Sequence, residues 1–182
     1  AVIKLRYGQA ADKLLFAGAP RGIKFALGEN PKRANWTPRS DRYPRTRMGV
    51  EQVIRNAFAE AVAYKAEWAA YEKARASGAR PVAPRRDLRL ETLRDILDAK
   101  VLVHSHAYRA DEMLMLMKVA EDFGFRVRTF QHGLEAYKIA SEIAKHGAGV
   151  GTFIDWWAFK LEAWDAIPYN PSVLASHGVR VS

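Results

Sequence analysis

The sequence predicts an α/β fold of parallel strands joined by helical crossovers. Three observations carry this. Short apolar runs alternate with longer stretches of helical periodicity, glycines close those stretches, and histidines stand where two successive apolar runs finish. Such alternation implies βαβ units, in which parallel strands need long right-handed connections.

The strands come first. GIKFALG (22–28) reads as a buried strand bounded by glycines. VLVHSH (101–106), RVRTFQH (126–132), VGTFI (150–154) and VRVS (179–182) read the same way, and VIKLR near the start is a further candidate. Between them, the spacing predicts a long helix over 48–75, with Val50, Val53, Ile54, Phe58, Val62, Trp68 and Tyr71 along one side. A second helix is predicted over 88–99. A third, over 109–123, carries the run Met113 to Met117, too continuously apolar for a surface helix, and ends at Gly124. Residues 135–147 form a fourth, stopped at Gly147, and 171–178 a short last one. His146 and His177, each just before a glycine, read as helix C-terminal caps.

A chain of 182 residues suits one domain, 1–182, with ordinary globular composition, 49% hydrophobic and 27% charged. No apolar run approaches the ~20 residues of a membrane span. A soluble protein is therefore expected; the first residues lack the regions of a secretory signal, which a precursor could have lost, so the compartment stays open between cytoplasm and periplasm. With no cysteine, disulfides, thiolate metal sites and cysteine nucleophiles are excluded. The net charge of +9 raises the question of nucleic acid. Its basic residues cluster in 31–47 and 79–89, both proline-rich and interrupted by Asp41 or Asp87, as solvated loops are. No phosphate loop or RNA-binding motif accompanies them, and a nucleic-acid partner is disfavoured.

In parallel α/β folds chemistry gathers at the C-terminal ends of strands. His104 and His106 end one predicted strand and His132 the next; alternation puts His104 and His106 on one face. One could bind a metal ion while the other binds a second ion or orients a substrate. The competing reading is that these are polar residues closing a strand.

VHSHAYRADEM (103–113) followed by FQHGLEAYKIA (130–140) resembles the central segment of the amidohydrolase superfamily, in particular metal-dependent hydrolases of the imidazolonepropionase-like and prolidase-like kind. KFALGENPKR (24–33), TRMGVEQVIRNAF (46–58), DWWAFK (155–160) and AIPYNPSVLASHGVRVS (166–182) extend the resemblance along nearly the whole chain. It implies a partial TIM-type (β/α)8 barrel, about strands 4 to 8, within a longer enzyme. It also implies hydrolysis of C–N bonds in cyclic or peptide-like small molecules, with zinc or another divalent metal ion, one or two per site, activating water. The alternative is a non-catalytic α/β module that binds a ligand or partner through an incomplete metal site.

Carried over by residue, the resemblance makes His104 and His132 metal ligands, His104 being preferred because VHSH resembles the family's VHAH. Lys24 matches a lysine that some relatives carry carbamylated between two metals; alternatively its chain snorkels out of the sheet. Glu29 is a further candidate oxygen ligand. His106, Tyr108 and Arg109 are assigned to the reacting groups or the substrate, although Arg109 could equally pair with Asp111 or Glu112. Those two acids suit a helix N-terminus. The family's first-strand His-x-His and eighth-strand aspartate are not in these 182 residues, so the remaining segments of the same barrel are expected partners. Uncovered strand edges predict docking on those segments or self-association into a homo-oligomer.

Overall fold

The computed structural model describes residues 2–32 and 43–182. Of the basic stretch 31–47, positions 33–42 lie outside them. The described chain forms β1 (Arg21–Ala26), the short α1 (Glu29–Lys32), α2 (Arg47–Ala76), α3 (Leu88–Leu97), β2 (Val101–His106), α4 (Ala110–Phe123), β3 (Val127–Gln131), α5 (Ala140–His146), β4 (Gly149–Val150) and α6 (Asn170–Ser176). The sheet order is β1-β2-β3-β4, every pairing is parallel, and Val181 adds a parallel bridge to Val150. Chain order and spatial order therefore coincide. This is the predicted α/β arrangement, and a sheet wound in one direction is how an arc of a barrel is built. VIKLR does not join it: Ile3 instead makes an antiparallel bridge with Leu15.

The helices pack against one face of the sheet. A single core joins Val101 and Val103 of β2, Val127 and Phe130 of β3 and Val150 of β4 to Phe58, Ile96, Leu116, Ile143 and Leu174 from α2 to α6. The other face carries Lys24, His104, His106, Thr129 and Gln131, matched strand to strand by the register. A bulge in β3 makes this possible. Val103 pairs with Val127 but His104 pairs with Thr129, so Arg128 is an extra residue. Plain alternation from Val127 would put Thr129 in the core and Phe130 among the polar groups. The bulge reverses both, and Phe130 is fully buried opposite Ser105.

Helix ends follow their sequence signals. Thr46 caps α2 by accepting the Gly49 N–H at 2.9 Å, and Asp87 caps α3 through Arg89 and Leu90 at 2.9 and 3.1 Å. Left-handed glycines, Gly124 and Gly147, close α4 and α5. His146 does more than cap: its ring is buried and Nε2 accepts the Val127 N–H at 3.1 Å, fixing the start of β3. His177 does cap, its Nδ1 lying 2.9 Å from the Val173 carbonyl. Two details differ from the periodic reading. On α2 the buried line is Val50, Phe58, Ala61 and Tyr64, while Val53 and Val62 are exposed, because at 3.6 residues per turn they fall to the side of that line. On α4 Leu114 reaches solvent, so the Met113–Met117 run is not covered all round.

Phe58 anchors the packing of α2: its ring stacks on Phe125 at 4.4 Å and approaches Phe123 and Phe25 at 5.6 and 6.2 Å. Phe58→Ala is expected to lower the unfolding free energy by ~3–5 kcal/mol, and Phe58→Leu by far less, in denaturant titrations.

Candidate active site

The face opposite the helices converges at the C-terminal ends of β2 and β3. There the rings of His106 and His132 lie 5.1 Å apart, nearly edge to face, with Tyr108 4.7 Å from the first and 5.9 Å from the second. His106 Nε2 and His132 Nδ1 are both buried and both lack a hydrogen-bond partner. Buried polar atoms are nearly always satisfied, so two orphaned nitrogens on adjoining rings mark a place for a ligand. The ring beside His132 is that of His106. His104, two residues earlier on the same face, packs instead on Gly22, its Nε2 3.5 Å from where a Cβ would stand there. With Lys24, its register partner, His104 lines a cavity of about 980 Å³ under the N-terminal segment.

His132 is held in an unusual backbone state. Its φ of +61° lies in the left-handed region, which costs a non-glycine residue about 1–2 kcal/mol. The following turn stabilises it. Gly133 N–H donates to the Gly151 carbonyl at 3.0 Å and Leu134 N–H to the His132 carbonyl at 2.6 Å. Asn170, fully buried, donates to the Gly133 carbonyl at 2.8 Å and to Thr152 Oγ1 at 2.9 Å, and accepts the Tyr137 N–H at 3.0 Å. Gly133 must be glycine, since an added Cβ would stand 2.7 Å from Val150 Cγ1.

Both imidazoles resist protonation. Burial pushes His106 down to about 4, with further contributions from the charges of His132, Lys24 and Lys160. Burial likewise lowers His132, followed by Lys24 and Lys160. Neutral rings are the form that binds a metal ion.

Beside the pair lies a buried ion cluster that the sequence did not announce. Glu112 receives the Arg47 guanidinium and the Gly28 N–H. Glu162, equally buried, meets Arg47 Nη2 at 3.2 Å, Lys160 Nζ at 2.6 Å and the Glu29 N–H at 3.1 Å. Gly28 has φ +79°, and an added Cβ would stand 2.7 Å from Glu162 Oε2. Glu112 thus reaches the loop after β1 instead of serving its own helix end. Asp111 and Arg109 pair with each other through two contacts of 2.9 Å at the rim, and Glu135 accepts the Ala110 N–H at 3.1 Å to cap α4. Helix-adjacent acids at positions 112 and 162 were visible in the sequence, but nothing local linked them to Arg47.

Among the described residues no group of three or more His, Cys, Asp or Glu side chains converges as a metal cage, and no helix is long and apolar enough to cross a membrane. The two histidine nitrogens are donors of the right type for zinc, half of a tetrahedral set. Of the basic stretch 79–89, Arg86 and Arg89 are engaged by Glu91 and Glu60.

Parallel strands with one helix-covered face and histidines at consecutive strand ends describe an arc of a barrel-type α/β fold. The comparisons with known proteins agree: the chain is related to the amidohydrolase superfamily over part of the length of those proteins. An amidohydrolase from Thermotoga maritima MSB8 superposes with a TM-score of 0.83 at 32% identity, over 99% of this chain and 45% of that one. Amidohydrolase tasK of Hapsidospora irregularis is 28% identical over 166 residues, 87% of this chain and 17% of tasK. No family model matches. The chain therefore spans less than half of either relative.

Two predictions follow from the geometry. Arg47→Met removes the cation shared by Glu112 and Glu162 and is expected to cost ~3–5 kcal/mol in unfolding free energy, the usual penalty for stripping a buried charge of its partner. The second concerns pH. The folded pKa of His106 lies below its ordinary 6.5, so below 6.5 the unfolded chain takes a proton that the native ring refuses. Stability is complete above pH 6.5 and falls as pH drops from there towards about 4. Denaturant midpoints across that range should show the fall, and NMR should find the His106 ring neutral at pH 6.

Proposed function

We propose that the chain is the part of an amidohydrolase barrel, about strands 4 to 8, that supplies the imidazole ligands of a divalent metal and hydrolyses C–N bonds of amide or peptide-like small molecules. The observation that carries this is the pair of orphaned, buried nitrogens on His106 and His132, at the strand ends where such folds place their chemistry. His106 and His132 hold the ion in this reading, which moves the ligand role on β2 from His104 to His106. A bound zinc-like ion would supply a water acidic enough to be hydroxide near neutral pH. Tyr108, packed against both rings, keeps them oriented and faces the substrate. Lys24, on the same face of β1, is the residue available for carbamylation. Arg109, already paired with Asp111, stands at the rim and has at most an outer contact with substrate.

Residues 1–182 act as one domain in this reading, completed by the rest of the barrel. On its far side β1 has no strand partner among the described residues, and an apolar cavity of about 440 Å³ lies beside it, lined by Phe25, Val50, Val53 and Ile54. The additional length of the Thermotoga relative is the natural cover for that edge; a homo-oligomer is the other. The test uses the polypeptide with whatever sequence flanks these residues. Metal analysis should find zinc or a similar ion retained, with amide hydrolysis. His106→Ala and His132→Ala should each lower metal retention by more than the roughly tenfold loss that outer-sphere substitutions already cause. Unchanged metal content in both variants would overturn the proposal.

A further inference from the structure

The segment after β4 lays aromatic rings over the histidine pair. Phe153 and Trp156 stack face to face at 4.0 Å and 9°, and each stacks on the His132 ring, at 5.5 and 5.4 Å. Tyr108 approaches Trp156 at 6.5 Å, and Phe159 lies 5.5 Å from Trp156 and 6.4 Å from Tyr108. Yet Phe153 and Phe159 remain 40% and 57% exposed. A ring layer that touches one of the candidate metal ligands and still leaves two of its rings partly open to solvent suits the wall of a binding site better than a core.

The position a cation would take in this box is already filled. Lys160 Nζ stands 4.3 Å from the Tyr108 ring centre and 5.4 Å from that of Phe159, tethered to Glu162 at 2.6 Å. A positively charged substrate group would meet an ammonium where it needs an aromatic face, with Lys24 near enough to weigh on the same imidazoles. A neutral planar group meets neither obstacle and can extend the stack of Phe153 and Trp156.

From this juxtaposition we infer that the site takes amides whose group next to the scissile bond is neutral and aromatic. Phe153 and Trp156 form the specificity wall, and Lys160 excludes cations. The inference rests on the hydrolase reading above and names its substrate class.

The experiment compares N-acetyl-phenylalanine, N-acetyl-leucine and N-acetyl-lysine. Each is measured by kcat/KM for acetate release and, independently, by calorimetric binding to the full polypeptide with its flanking sequence. The phenylalanine derivative should lead the leucine one by about threefold to tenfold, the range of an added aromatic contact, with the lysine derivative last. Trp156→Leu and Phe153→Leu keep an apolar side chain but remove the ring, and should bring the phenylalanine-to-leucine ratio close to one. Lys160→Met should lift the lysine derivative relative to leucine. Circular dichroism identifies any variant that has not folded, and the ratios across the three compounds in the unaltered protein decide the matter without it. Aromatic preference in binding with no hydrolysis of any compound would sink the hydrolase reading, and with it the scissile bond, while upholding the aromatic selectivity of the site. Hydrolysis with equal rates, or with lysine preferred, would sink the inference alone; neither binding nor turnover would sink both.

Discussion

One extra residue in β3 decides what the rest of the molecule can do. Arg128 bulges out between Val127 and Thr129, and the strand changes the face on which each later side chain falls. Before the bulge Val127 is in the core; after it Phe130 is, although three positions separate them. The shift allows Thr129 and Gln131 to join His104 and His106 on the polar face and lets the chain leave the sheet at His132, next to the His106 ring. Bulges bend and twist a strand and recur next to active sites for that reason. Three regularly paired residues after the bend comes the left-handed His132, so two irregularities at the two ends of one short strand segment aim one imidazole. The strain is offset by Asn170, which ties the turn after β3 to the segment leaving β4.

The ion cluster does for the loops what the bulge does for the strand. Arg47 opens the 30-residue α2, Glu112 belongs to the first turn of α4, and Glu162 lies beyond β4. Their meeting at the end of β1 fixes three crossovers on the same side of the sheet. Buried ion pairs add little net stability, because desolvation cancels most of the attraction, but they penalise every arrangement that separates them. Specifying the positions of Lys160 and of the aromatic segment before it is therefore the better account of their presence. Gly28 has the same character: its N–H donates to Glu112, and its lack of a Cβ, together with its left-handed φ, leaves room for the Glu162 carboxylate.

Period and punctuation made the repeating architecture readable. Apolar runs at 22–28, 101–106 and 126–132 became β1 to β3, and the helices began and ended within a few residues of their caps and glycines. The histidines were visible too, because strand alternation predicts which share a face. What stayed hidden depends on contacts between residues far apart in sequence. The bulge left no mark in RVRTFQH, whose alternation, read plainly, inverts the true facing of Phe130. VGTFI kept only its first residue in the sheet, as Gly151 turns the backbone to bond Phe130 and Gly133. That the ring beside His132 is that of His106 and not of His104 depends on where β3 ends next to β2, which the run VHSH does not carry. Arg47, Glu112, Glu162 and Asn170 are 8 to 65 positions apart in succession, beyond any local pattern.

Electrostatics sets the remaining condition on the site. The imidazole pair faces Lys24 and Lys160, and its own burial already drives protons away. The same field opposes a divalent cation, which carries twice the charge. Neutral histidines alone do not counter it, and the nearby carboxylates of Glu112 and Glu162 are committed to Arg47 and Lys160. A metal held by His106 and His132 thus requires negative charge delivered close to the rings. Carbamylation of Lys24 would provide it most economically, since it removes a repelling ammonium and puts a carboxylate in its place, a change of two charge units at one position. Carboxylates from adjoining strands of a completed barrel would act in the same direction. Either way, with Lys24 and Lys160 beside the pair, a metal at His106 and His132 would need anionic ligands as much as the histidines themselves.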